Sequence, residues 1–344
     1  MLVYEIKSLP DLTLSKYQVF ADSGIDGMLE VQTQFIKQLH RVLLLGDTSA
    51  HILFNYNPGF PNGKKLRIYV AFFCKNSGVQ YYERLKRIIA ASGIYRYFHL
   101  KLISEKILPI DFKFQYMSVL HKKERVLPIV TDDETHNFYV VPNWEMNDNA
   151  RLYNMLQLIQ SFDERCCYRV DLYTVDELEE QIHKSFEKPL SFLRNIGYKG
   201  ITISDYGRNQ RDKRDPNADE VLHQYDQWIK NVDASTVFRC RISAMSNDKQ
   251  ISQLILNSTV AESVKQGNAV TKTANSQFDC FSLIEELPNG LHLADAPKSL
   301  NNWTTTFTAE EIAAFCRFPV LYNGETVELP KETMAVQEQE GIIL

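Results

Sequence analysis

Leu66–Phe73 and Val237–Ala244 are alternating strands, and each leaves through a small polar turn into an amphipathic helix, at 79–91 after the first and 248–266 after the second. A strand buries one face with period two, and a helix buries one stripe with period 3.6. A strand that turns straight into such a helix lays the helix back over its own sheet. Two elements of this kind predict an α+β protein of two lobes of related design, each an antiparallel or mixed sheet with helices packed on one face. At 344 residues the chain exceeds what one core usually serves, which also points to two lobes. Their expected extents are 1–124 and 125–305, with 306–344 as a capped helix and a polar tether. Identity between the two strand–helix elements is too low to establish a repeat.

Other elements follow from the same periodicities. The stripe Leu29, Gln32, Phe35, Ile36 and Leu39 predicts a helix over 28–40. His51–Tyr56 and Leu66–Phe73 predict a hairpin, and Val126–Val130 with Asn137–Val141 predict another. Tyr95–Leu102 reads as a strand, with Gly93 as a left-handed cap on the helix before it. Ala150–Phe162 reads as a helix, Cys166–Tyr173 as a strand, Val175–Asn195 as a long helix, Ile201–Ser204 as a short strand and Val221–Val232 as a helix. Thr308 with Glu311 three residues on predicts a capping box, in which each side chain satisfies one orphan N–H of the helix start. Pro319 cannot continue a helical ladder.

Apolar content of 44% and charged content of 24% are ordinary for a globular chain. A net charge of −5 carries no whole-chain argument for nucleic acid or an anionic membrane. No apolar run is long enough to span a bilayer, so no membrane insertion is expected. The six cysteines form no Cys-x-x-Cys pair, which favours reduced, buried thiols in a cytoplasmic protein over a disulfide framework or a zinc site. Cys166 and Cys167 are adjacent and would face opposite sides of a strand.

Candidate sites are few. Gly59–Lys65 resembles a phosphate loop but has three residues between its glycines and Lys65 where a hydroxyl is needed. A hairpin loop fits it better. No histidine has ligand spacing to a second His or Cys; His121, His136 and His223 read as surface or satisfied groups. Asp132, Asp133 and Glu134 form an acidic hairpin tip with too few oxygens for a cation cage. Glu177, Glu179 and Glu180 suit a helix start, where acids face the macrodipole. Spacing reveals no Ser/His/Asp arrangement. Accordingly no catalytic, cofactor-binding or metal residue is assigned. The polar segment 206–218 carries Arg208, Arg211, Lys213 and Arg214, the best candidates for nucleic-acid contact, although Asp205, Asp212 and Asp215 reduce their field.

Val140–Trp144, the helix bearing Leu152 and Leu156, the strand Tyr168–Tyr173 with its long helix, and Phe238–Met245 with the helix after it together resemble the N-terminal region of HerA/FtsK-type ATPases, particularly the conjugation and type IV secretion branch. Thr308–Pro319 is similar to the short helix that precedes their motor core, and Gly341–Leu344 sits where the first strand of that core would begin. The resemblance covers roughly 125–344. It implies a hexameric, ATP-driven translocase acting on DNA, of a kind that also occurs in bacterial antiviral defence. This chain would be its non-catalytic assembly and docking region, meeting its own copies in the ring and a nuclease or other effector. The ATP and Mg²⁺ residues would all lie beyond Leu344, so none is carried onto this chain. Two alternatives remain open: a self-contained protein-interaction module, and a metal-dependent nuclease using scattered carboxylates such as Asp132, Asp163 and Asp171.

Overall fold

The first part of the chain builds one βαββαβ unit. Strand β1 (Leu2–Ile6) leads to helix α1 (Gly24–Leu44), then β2 (Thr48–Tyr56), β3 (Leu66–Cys74), helices α2 (Val79–Ala91) and α3 (Gly93–Phe98), and β4 (Leu100–Ile103). The strands lie in the order β4-β1-β3-β2, each antiparallel to its neighbours. A second unit follows with the same plan. It runs β5 (Lys113–Lys122), the insert β6 (Arg125–Val130), β7 (Thr135–Val140) and β8 (Glu145–Met146), then α4 (Tyr153–Gln160) and β9 (Cys166–Tyr173). A second insert, α5 (Leu178–Lys199) and α6 (Pro216–Ala234), precedes β10 (Val237–Ser246), α7 (Lys249–Ser263), β11 (Val264–Gln266) and β12 (Ala269–Asp279). Its order, β12-β5-β10-β9, is again antiparallel throughout. Each unit has the split βαβ connectivity of a ferredoxin-like fold. This computed structural model describes residues 1–44, 48–60, 65–74, 79–103, 112–130, 134–174, 178–199, 215–234, 236–282, 303–322 and 325–329.

The units meet edge to edge. Strand β2 of the first pairs antiparallel with β9 of the second, in the register Ile52↔Val170, so one sheet runs through both. The fold is α+β, as its strand and helix patterns predict. Division at 124/125 does not separate the strands, because β5 lies between β10 and β12. The two strand–helix elements noted in the sequence, β3 with α2 and β10 with α7, hold equivalent places in the two units.

Alternation decides which face each side chain meets. Ala50, Ile52, Phe54 and Tyr56 of β2 and Cys166, Tyr168, Val170 and Leu172 of β9 turn to the helix side. There they pack with Leu39 of α1, Leu85 of α2, Phe98 of α3, Met155 of α4 and Leu256 of α7. Leu53, Tyr69, Met117, Val119, Cys167 and Met245 turn to the other face, where Phe112, Phe278 and Cys280 join them. Cys166 and Cys167 therefore sit in different cores. A third core lies between the β6–β7 hairpin and α5–α6, where Leu127 and Ile129 meet Phe186, Val221, Tyr225 and Trp228. Among the described residues no helix is long and apolar enough to cross a membrane.

The last described segment crosses the helix face of both units. Strand β13 (Thr306–Thr308) pairs with the start of β10, and helix α8 (Ala309–Phe315) carries both hydrogen bonds of the expected capping box. Beyond α8, Gln32 of α1 clasps the Phe318 backbone through two hydrogen bonds of 3.2 and 2.7 Å. Arg317 donates to Leu29 O and Thr33 Oγ1. Arg151 makes a two-pronged ion pair with Glu325 at 2.8 Å, and Leu66 N donates to Glu328 O at 3.0 Å.

Several local expectations change. Tyr95–Phe98 belong to α3 rather than a strand. Ser92 caps that helix by accepting from Tyr95 N, and the left-handed residue is His99 after it. Gly93 is needed for close approach instead, since a Cβ there would lie 2.7 Å from Val31 Cγ1. Helix α7 stops at Ser263, and 264–266 form β11. The strand expected at 201–204 lies outside the described residues. Gly267 is held at φ +150°, and a Cβ would lie 2.3 Å from Trp144 Cδ1. We expect Gly267→Ala to cost about 2 kcal/mol through combined strain and overpacking. Chemical denaturation at constant m would show it, and an unchanged midpoint would refute it.

Candidate functional site

The seam between the units carries a row of charged side chains on the face away from the helices. Register builds it. His51 of β2 lies opposite Asp171 of β9, which lies opposite Arg241 of β10. Arg169 shares the face of Asp171, two residues back, and Ser49 shares the face of His51. A slip of one residue would drive all of them into the helix-side core.

His51 Nδ1 lies 2.5 Å from Asp171 Oδ1, and His51 Nε2 lies 2.7 Å from Ser49 Oγ. Arg169 Nη2 lies 3.1 Å from the same Nδ1, which therefore stands between a guanidinium and a carboxylate; with Asp171 ionised, Nδ1 carries the proton and donates to Oδ1, and Nε2 accepts from the serine hydroxyl. Arg169 Nε also donates to Asp171 Oδ1 at 2.5 Å, and its Nη1 donates to Cys280 O and Ser282 O at 2.8 and 2.9 Å. Arg241 Nη2 donates to the Tyr173 hydroxyl at 2.9 Å, and its Nε lies 3.5 Å from Asp171 Oδ2. His51 is 1% exposed and Asp171 0%, and the ring meets Phe73 edge-on at 4.8 Å.

Burial pushes the His51 pKa down, against the pull of Asp171, and the two guanidiniums lower it further. The imidazole is therefore neutral. Burial alone would raise the Asp171 carboxyl, but Arg169, His51 and Arg241 outweigh it and hold the group ionised far below the usual carboxylate range. Two guanidiniums against one carboxylate leave the row net positive. Chemically it offers a hydroxyl aligned on a neutral imidazole whose tautomer is set by a fixed carboxylate, the order used in nucleophilic catalysis.

A second buried pair fixes α8. Lys122 Nζ contacts both Glu311 oxygens at 2.7 and 2.9 Å, and the same carboxylate accepts from Trp144 N and Thr308 N. The ammonium also faces the Trp144, Trp228 and Phe307 rings. Burial lowers the Lys122 pKa, and Glu311 opposes that shift.

Arg208, Arg211, Lys213 and Arg214 lie outside the described residues, as do Asp132 and Asp133. Asp163 is exposed just before β9, whereas Asp171 is buried at its far end and already neutralised. The strand from Cys166 to Asp171 alone spans about 16 Å, and Asp163 lies exposed before it, so the two do not converge on one metal. His121 is buried near Thr304 Oγ1, His136 meets Phe192 edge-on at 4.8 Å, and His223 is exposed. Among the described residues no three His, Cys, Asp or Glu side chains form a metal-binding group. Sequence reasoning missed the seam row. Sequence analysis names Asp171 only as one of several scattered carboxylates; the available signal was Arg169-x-Asp171 and Arg239-x-Arg241 inside apolar strands. No family model matches this chain, and no curated protein does.

Proposed function

We propose that the chain is the assembly and docking region of a ring-forming, HerA/FtsK-type P-loop ATPase, a cytoplasmic DNA translocase of the kind used in antiviral defence. ATP and Mg²⁺ would be handled by sequence beyond Leu344. Copies of the chain would meet in a hexameric ring and hold a nuclease or other effector, with DNA contact through Arg208, Arg211, Lys213 and Arg214. One observation carries the reading: residues 303–322 and 325–329 are tied to both units, through Gln32 and Arg317 on one side and Arg151 and Gln160 on the other. The described chain up to Leu329 is thereby held against both units, which supports a platform role.

The reading frame tests this. Sequence past Leu344 should encode Gly-x-x-x-x-Gly-Lys-Ser/Thr, whose backbone wraps phosphate. The purified 344-residue chain should turn over no ATP; tight nucleotide binding within its own side chains would overturn the proposal. A second reading, a self-contained interaction module, draws on the outer face of the β6–β7 hairpin, where Val126 and Val130 are 48% and 56% exposed. A stop codon after Leu344 and a stable monomer would favour it.

A further inference from the structure

We propose that Ser49 is a nucleophile activated by His51, and that the seam transfers acyl groups from small, negatively charged esters or thioesters. This goes beyond the platform role and does not depend on it.

Three observations point the same way. The hydrogen-bond order Ser49–His51–Asp171 is complete, at 2.7 and 2.5 Å, within the reach that nucleophile, base and orienting group require. Ser49 is the least deeply buried of the three. His51 and Asp171 are at most 1% exposed, Ser49 is 7% exposed, and its cross-strand neighbours Phe73 and Tyr173 are only half-buried. Charge then selects the substrate. Arg169, Arg241 and Arg239 outnumber Asp171 around the row, so a carboxylate on the acyl group is favoured.

The step balances. Ser49 Oγ bonds to the carbonyl carbon as its proton passes to His51 Nε2. The carbon–oxygen or carbon–sulfur bond to the leaving group breaks, and the leaving atom takes that proton. Water then releases the acyl group by the same route, restoring the serine. Ser49 and His51 are the catalytic residues, and Asp171 is a positioning residue that holds the ring.

A fluorophosphonate probe tests this on the intact chain. Attack forms a Ser49 O–P bond and expels fluoride, and peptide mass spectrometry locates the adduct. We expect a single adduct on Ser49, absent from Ser49→Ala, a substitution small enough to leave the fold unchanged by circular dichroism. General-base assistance is worth about 10²- to 10⁴-fold, so His51→Gln should slow labelling by at least about 100-fold. Where that variant does not fold, the wild-type pH profile decides. Assisted attack rises and then levels once the imidazole is neutral, whereas an unassisted serine keeps accelerating with pH. Asp171→Asn should lower both the plateau and its midpoint. No adduct on the folded protein, or a rate that never levels, would overturn the proposal. Either result leaves the ATPase reading untouched, because that rests on the reading frame and on nucleotide turnover.

Discussion

Glu311→Ala is expected to cost about 4–5 kcal/mol, enough to unfold a protein of ordinary stability under mild denaturant. Three losses combine in that one carboxylate. Lys122, 0% exposed, would keep a buried charge with no counter-ion. The Trp144 N–H would lose its acceptor, and the first turn of α8 would lose half of its capping box. The aromatic rings around Lys122 attract the ammonium but do not neutralise it. Urea titration should show a lower midpoint with little change in slope. Pairing Glu311→Gln with Lys122→Met removes the stranded charge and retains an acceptor, so that double variant should be clearly more stable than Glu311→Ala. A Glu311→Ala midpoint within about 1 kcal/mol of wild type would refute this account of the lock.

Asp171→Asn is expected to cost about 3–5 kcal/mol, since it leaves Arg169 and Arg241 buried around a neutral amide. pH dependence gives a second handle. The folded Asp171 carboxyl is held below its ordinary value of 3.8, so it stabilises the fold above that pH and the benefit is lost as pH falls further. The folded His51 pKa is held below 6.5. Below that pH the unfolded chain takes up a proton that the folded chain refuses, and stability declines as acid is added. Wild type should therefore lose stability in two acid steps, one beginning near 6.5 and one below 3.8. Asp171→Asn should lack the lower step. A variant with wild-type stability, or a flat profile down to pH 4, would count against the network.

Much of the first layer was legible along the chain. Periodicity located α1, the β2–β3 hairpin, α2, β9, α6, β10 and α7, because each buries a regular stripe or alternate face. The capping box at Thr308 was legible because capping is local chemistry, settled within four residues. Strands β1, β5 and β12 were not. Strand β12 is an edge strand rich in Thr, Asn and Ser, with little apolar alternation to betray it. Strand β5 ends in the buried pair His121 and Lys122, and nothing near them in sequence shows that Glu311, far along the chain, is placed against Lys122.

Local patterning, then, settles element type, caps and which face of a strand is apolar, since those depend on neighbours a few residues away. Pairing partners settle the rest. That β2 joins β9, merging two units into one sheet, and that Ser49, His51, Arg169, Asp171 and Arg241 converge, follow from contacts across more than a hundred residues. The alternation of Cys166–Tyr173 is the same whether Arg169 and Asp171 face water or each other's counter-charges. Only the strands laid beside them, and the aromatic and backbone groups that close over Arg169, turn a polar face into a buried relay.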